Sequence, residues 1–461
     1  MIKATIFREY DIRGIADDDL TSDNVELLGK GIGTLLKRSG AKTLVIGRDV
    51  RLSSKRIRDA LVAGLTSIGV DVIDVGVTLT PIQYYAIIKY EAGGGVMITG
   101  SHNPIDYNGL KISGKGVVPV FGQQIQAIRE IIEKSDFESG GGSVTEKDIM
   151  SNYREMIKSK LKFGKKLKMV IDCGNGTGGL IAPDLWEEMG HEVVRLYCEP
   201  DGRFPNHLPD PTVPKYVVDL QKKVLEVGAD IGIGYDGDTD RVGAIDEKGR
   251  MIYADRMLAI LSEEVLQRHP GGQIVFDVKC SQALPEMIEK YGGKPLMWKT
   301  GHSLLKKKMK ETNAPLAGEM SGHIFYSDDY FGFDDAVYVS GRLLQILSNS
   351  DKTISQIADE IPFFESTPEI RIEASDEEKF NVVDDLVAHF KNEYETIDID
   401  GARVLFGDGW GLVRASNTQP VLVLRFEARN KARLQEIINI FTAKLKEYPV
   451  VKFEEADFAV N

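Results

Sequence analysis

The chain's 461 residues exceed what one hydrophobic core supports and suffice for three or four domains. Hydrophobic residues at 42% and charged residues at 28% are the balance of a globular protein, and a net charge of −13 argues against nucleic acid or an anionic membrane as a partner. Three scattered cysteines (Cys173, Cys198, Cys280) lack metal-ligand spacing and any disulfide framework, and no run reaches the roughly 18 apolar residues of a spanning helix, so a cytoplasmic protein with reduced thiols is expected.

In chain order, "KTLVIGRDVR" (42–51), "LKMVIDCGNGTGG" (167–179) and "GQIVFDVKCS" (272–281) are each a β-branched strand running into a polar loop. Helical spacing follows, as in Ile57, Leu61 and Leu65, or Leu180, Leu185 and Met189. A second apolar strand then closes each unit and ends in another glycine-bearing loop: "TGSHNP" (99–104), "YDGDTDR" (235–241) and "GEMSGH" (318–323). This pattern predicts three diverged α/β repeats, with functional loops at the carboxyl ends of strands. "ESGGGSVTEKD" (138–148) reads as a flexible connection, Glu247–Arg250 as the turn after the second unit, and "IPFFESTPE" (361–369) as the end of the third. Beyond it, strand "EIRIEA", a helix over 376–392, strands near 403–407, 410–414 and 420–427, and a last helix striped by Leu434, Ile437, Ile438, Phe441 and Leu445 predict a small α+β domain with an antiparallel sheet.

Five of these loops could carry chemistry. In "DGDTDR", Asp236, Asp238 and Asp240 alternate, so in an extended loop their carboxylates share a side. Crowded carboxylates repel unless a cation sits among them, and a hard divalent ion such as Mg²⁺ suits an oxygen cage. An EF-hand would use Glu247 as its twelfth residue, but its sixth position requires glycine and holds Arg241. "GNGTGG" supplies Gly174, Gly176 and Gly179 in the G-x-G-x-x-G spacing with Glu199 about 20 residues on, a dinucleotide fingerprint that a glycine-packed strand–helix turn explains as well. "RASNTQP" (414–420) puts Arg414, two hydroxyls and Asn417 into a turn fit to cradle a phosphate. "GEMSGH" offers Glu319, Ser321 and His323 for neighbouring hydroxyls. Ser101 occupies the loop position that corresponds to the acidic loop one repeat away, with His102 and Lys111 close in sequence. A serine beside Mg²⁺ and cationic side chains could carry a phosphoryl group, because that transfer needs mainly positioning and charge neutralisation.

Together "FREYDIRG", "TGSHNP", "YDGDTDR", "DVKCS", "KTGHS", "GEMSGH" and "RASNTQP" run nearly end to end in the order of the α-D-phosphohexomutases, which the chain resembles. Met320 in "GEMSGH" is similar to the phosphomannomutase/phosphoglucomutase branch, whereas phosphoglucosamine mutases usually carry Gln there. The resemblance implies three mixed α/β domains and a smaller C-terminal domain around a central cleft: a phosphoserine domain (1–147), a metal-binding domain (148–250), a sugar-recognition domain (251–361) and a phosphate-binding domain (362–461). It implies Ser101 as the phosphorylated serine and Mg²⁺ held by Asp236, Asp238, Asp240 and a phosphoserine oxygen. Arg241 would meet the moving phosphoryl group, and Tyr10, Arg13, His102 and Lys111 would line the reacting end, with Lys111 or Arg13 assisting proton transfer and His323 a further acid/base candidate. Lys279, His302, Glu319 and Ser321 would meet the sugar, and Arg414, Ser416, Asn417 and Thr418 the phosphate at rest. The implied substrates are hexose 1- and 6-phosphates, with a hexose 1,6-bisphosphate as intermediate and activator, handled by a monomer or homodimer. A phosphoglucosamine mutase, a Mg²⁺-dependent phosphatase and a dinucleotide-dependent oxidoreductase are the rival readings.

Overall fold

A computed structural model describes residues 2–417 and 419–458. Each of its first three units is built on a mixed sheet. In the first, the strands run edge to edge as Ile12–Ile15, Tyr107–Gly114, Gly94–Ile98, Thr43–Arg48, Asp71–Val77 and Val144–Glu146. The inner strands pair parallel, and Tyr107–Gly114 returns antiparallel to Gly94–Ile98. The second unit repeats the scheme, with Lys168–Asp172 and Ile231–Tyr235 parallel and Val242–Asp246 antiparallel. In the third, Gln273–Asp277 and Leu316–Gly318 pair parallel, and Ile324–Tyr326 returns antiparallel. "TGSHNP", "YDGDTDR" and "GEMSGH" therefore fall at one equivalent place, the turn from the last parallel strand into its antiparallel return.

Two expectations change. The glycine-rich stretch 138–148 is not a loose connection: Val144–Glu146 adds an edge strand beside Asp71–Val77. Its glycines serve close packing, since a Cβ on Gly142 would lie 2.0 Å from the Val70 carbonyl oxygen. Glu247–Arg250 does not close the second unit, because the Asp246 carboxylate accepts the Lys248 and Arg250 N–H groups and folds a hairpin. That hairpin returns Met251–Ile252 to the second sheet.

Residues of all three units merge into one buried apolar cluster running from Val45 through Trp186 to Leu347. The last unit keeps its own core, where helices Lys379–Glu393 and Lys431–Leu445 cover an antiparallel sheet of Glu365–Ser366, Ile370–Glu373, Glu395–Ile397, Ala402–Leu405, Gly409–Ala415 and Val421–Ala428. The predicted stripe Leu434, Ile437, Ile438, Phe441 and Leu445 is buried there. Two buried arginines join this unit to the third. Arg403, stacked 3.7 Å from the Trp410 ring centroid, donates to the Val278 and Cys280 carbonyls, and Arg425 donates to that of Lys279. Among the described residues no helix is long and apolar enough to cross a membrane.

Candidate active site

The loop turns open into a cleft of about 640 Å³ to which all four units contribute. Its walls carry Arg8, Arg13, Lys111, Arg241, Lys279, Arg371 and Arg414 against Asp11, Glu319 and Glu369, a local positive excess inside an acidic chain.

Ser101 lies at the buried side of this cleft, 2% exposed, with its backbone in the left-handed region at φ +48°. Such a conformation costs energy and persists only where the surroundings enforce it. Arg51 does so: its guanidinium donates to the Ser101, Asn103, Pro104 and Tyr107 carbonyl oxygens at 2.6–3.0 Å. Asp49 takes the Gly100 N–H at 3.1 Å and pairs with Arg51 at 3.3 Å. Arg13 holds the same loop through Asn103 Oδ1 at 2.7 Å. The Ser101 hydroxyl donates to Asp236 Oδ2 at 2.9 Å and lies 3.0 Å from His102 Nδ1.

Asp236, Asp238 and Asp240 bring one carboxylate oxygen each to within 4.8 Å of the others. A tight turn converges them, not the extended alternation expected: Thr239 N–H closes back on the Asp236 carbonyl at 3.2 Å, with Thr239 itself at φ +64°. Lys111 Nζ donates to Asp238 Oδ2 at 2.7 Å and also to Asp240. Burial alone would lower the Lys111 pKa, but Asp238 and Asp240 outweigh it and hold the ammonium charged. Burial and the two neighbouring carboxylates push Asp236 well above the usual carboxylate range.

His323 Nε2 accepts from Arg241 Nε at 3.0 Å, which leaves Nδ1 facing Asp334 Oδ2 at 3.1 Å. His302 stacks against His323 with ring centroids 5.3 Å apart. Burial drives His302 and His102 well below the ordinary imidazole value, the former helped by Lys306 and the latter by Arg241 and Arg13, so both are neutral at pH 7. Glu319 accepts from Gly301 N–H at 2.5 Å and from Ser321 Oγ at 3.1 Å. Lys279 pairs with Glu369 at 3.0 Å. From the last unit, Arg414 pairs with Asp400 at 2.9 Å, Asn417 reaches Tyr10, and Ser416 lines the cleft. Thr418 lies outside the described residues.

Comparison with known proteins matches the four units separately. The alpha/beta/alpha domains I, II and III of phosphoglucomutase/phosphomannomutase match residues 4–139, 150–249 and 253–363, and the C-terminal domain matches 369–444. The chain belongs to the phosphoglucomutase/phosphomannomutase family. It is 48% identical over 446 residues, 96% of each chain, to a phosphomannomutase/phosphoglucomutase of Pseudomonas aeruginosa. It is 44% identical over 453 residues, 97% of this chain and 98% of the other, to a phosphoglucomutase of Neisseria meningitidis. A crystal structure of a phosphoglucomutase/phosphomannomutase family protein from Burkholderia thailandensis superposes with a TM-score of 0.92 at 42% identity, covering 97% and 98% of the two chains.

The donor set suits the divalent cation implied for this family. Asp238 Oδ1 and Asp240 Oδ1 are buried oxygens without a hydrogen-bond partner among the described residues, and hard oxygen donors are what Mg²⁺ takes. Glu247 belongs elsewhere, accepting from Ser355, which ends the EF-hand alternative. Sequence reasoning missed Arg8, Asp49, Arg51, Asp334, Glu369 and Arg371. The "RDVR" at the end of strand Thr43–Arg48 was a signal for Asp49 and Arg51, since it occupies the loop position that carries Lys279 in the third unit.

Proposed function

We propose that the chain moves a phosphoryl group between the 1- and 6-hydroxyls of glucose and mannose phosphates, with Ser101 as carrier and a hexose 1,6-bisphosphate as intermediate and activator. One observation carries the reading: a strained, buried serine hydroxyl lies within hydrogen-bond distance of an Asp236/Asp238/Asp240 cluster, in a cationic cleft also lined by Arg414.

In this reading the bond from phosphorus to Ser101 Oγ breaks as one forms to the sugar hydroxyl, and the proton that this hydroxyl gives up ends on the freed Ser101 Oγ. His102 Nδ1, 3.0 Å from Oγ, exchanges the serine proton. Arg241 neutralises the moving group, and Lys111 braces Asp238 and Asp240. Arg13 fixes the serine loop through Asn103, and His323, oriented by Asp334, keeps Arg241 in place. Mg²⁺ held by Asp236, Asp238, Asp240 and an oxygen of the serine phosphate would supply further charge neutralisation. Tyr10, Lys279, His302, Glu319 and Ser321 meet the sugar. Arg414, Ser416, Asn417 and Thr418 hold the phosphate at rest, so the bisphosphate must turn round before its second phosphate returns to Ser101. The four units, the second running through Ile252, thus serve serine, metal, sugar and resting phosphate in turn, and the unbridged cysteines fit a cytoplasmic setting.

The test is turnover of glucose, mannose and glucosamine 1-phosphates with a trace of bisphosphate, by wild type and by Ser101→Ala. Wild type is expected to isomerise the first two, and Ser101→Ala to lose nearly all activity while keeping its melting temperature. Ordinary turnover by Ser101→Ala ends the phosphoserine reading. Stoichiometric free phosphate means a phosphatase, and turnover of glucosamine phosphate alone means the neighbouring mutase class.

A further inference from the structure

The "GNGTGG" loop binds nothing in the mechanism above, yet it is packed more tightly than a connecting turn requires. A Cβ on Gly179 would lie 1.8 Å from the Cys198 carbonyl oxygen, and one on Gly176 would lie 2.8 Å from that of Gly237. On Gly237, in the middle of the acidic turn, a Cβ would lie 2.4 Å from the Ser101 carbonyl oxygen. Backbone therefore touches backbone from Cys198 through this loop and the acidic turn to the serine. Hydrogen bonds follow the same route: Thr177 N–H and Oγ1 both donate to the Gly237 carbonyl, at 3.0 and 3.2 Å, and Thr177 Oγ1 lies 3.0 Å from Thr239 Oγ1. At the far end of this path, Cys173 Sγ–H donates to Cys198 Sγ at 3.4 Å. Cys173 opens the glycine loop and is fully buried, whereas Cys198, just past strand Glu192–Leu196, is partly exposed.

We infer that Cys173 and Cys198 are a modification site, a dithiol that hydrogen peroxide converts to an intramolecular disulfide, and that closing this bond shifts the acidic turn and slows the enzyme. Peroxide meets Cys198 first. Its sulfur takes one peroxide oxygen, the O–O bond breaks, and water leaves a sulfenic acid. Cys173 Sγ attacks that sulfur, the S–O bond breaks, and the hydroxyl departs with the Cys173 proton as a second water. Two thiols and one peroxide thus give one disulfide and two waters. Burial holds the Cys173 thiol protonated, which assigns the first oxidation to its partner. The sulfurs must close from 3.4 Å to about 2.05 Å, and a loop lined by glycine contacts has no slack to absorb the movement. Cys280 is an internal control: it is buried in the third unit and donates to Asp277 Oδ1 at 3.0 Å.

Full-length wild type, Cys198→Ser and Cys173→Ser are treated with hydrogen peroxide, alkylated, and mapped without reduction. The expected result is a single 173–198 bridge in wild type and Cys280 alkylated only after unfolding. Peptides covering 173–179 and 236–241 should exchange amide hydrogen faster once the bridge forms, a readout independent of the hexose-phosphate reading. Turnover, where that reading holds, should fall several-fold, return with dithiothreitol, and be spared in both variants; Cys198→Ser alone decides if Cys173→Ser folds poorly. Absence of the bridge overturns the inference. So does a bridge that changes neither exchange nor turnover, or an equal loss in Cys198→Ser.

Discussion

Asn417 Nδ2 donates to Tyr10 Oη at 2.9 Å, and Tyr10 Oη donates to the Thr300 carbonyl at 2.9 Å. One phenol thus fastens the first, third and last units over the cleft. A cleft in which a bisphosphate turns round has to release this latch, and two neutral hydrogen bonds are worth only about 0.5–1.5 kcal/mol each. Tyr10→Phe removes both and keeps the ring against His302. The expected outcome is a larger radius of gyration without substrate and a KM raised several-fold, with kcat held. Superimposable scattering profiles together with an unchanged KM would show that the latch does not set closure.

Lys111 occupies the place where a cation offsets the acidic turn, paired with both Asp238 and Asp240. Chelation should therefore abolish turnover while leaving the melting temperature nearly unchanged, because the lysine still balances the carboxylates. Lys111→Met reverses that independence. Removing one partner of a buried ion pair costs about 3–5 kcal/mol, so the metal-free variant should melt well below wild type, and millimolar Mg²⁺ should recover most of the loss. A melting temperature of Lys111→Met that is insensitive to Mg²⁺ would contradict metal binding at Asp236, Asp238 and Asp240.

Much of this site was legible because its chemistry lies in short loops. Ser101, Asp236, Asp238, Asp240 and Arg414 each sit in a local run of unusual residues. The mixed sheets could be read as strand–helix–strand repeats, but the antiparallel return strands that put the three loops in register could not, because pairing direction is a tertiary property. Asp334 carries no local signal: it matters only because the fold sets it 3.1 Å from His323. Residues 138–148 misled for a physical reason, since glycine marks both a flexible chain and a close backbone approach, and here Gly142 against Val70 is the second. The glycines of "GNGTGG" serve the same purpose.

Arg51 is another residue that local reading passed over, and its four carbonyl contacts make a strong demand on side-chain shape. Lysine keeps the charge but offers a point donor instead of a planar fork. Arg51→Lys should strand several buried carbonyls, cost about 1–3 kcal/mol for each group left unsatisfied, and relax the loop that holds Ser101. The measurement is the urea midpoint alongside kcat. Both should fall, with KM little changed, since Arg51 does not line the cleft. A variant with wild-type midpoint and kcat would show that the guanidinium does not hold the serine turn.

His207 gives the stability a pH dependence that sits apart from the cleft. Its Nε2 lies 3.1 Å from Asp172 Oδ2, and Nδ1 lies 2.9 Å from the Leu208 carbonyl. Burial alone would lower its pKa, but the Asp172 carboxylate and the Leu208 carbonyl outweigh it and raise it above the ordinary 6.5. The folded state therefore binds a proton more tightly than the unfolded chain. Stability from this pair is complete below about pH 6.5 and is lost as pH rises through the folded value. Melting curves of wild type and His207→Gln should be furthest apart near pH 6 and converge towards pH 8, leaving the smaller difference owed to the neutral imidazole's hydrogen bond. Curves that stay parallel across this range would mean that His207 is uncharged in the folded protein, and that the Asp172 contact is an ordinary neutral hydrogen bond.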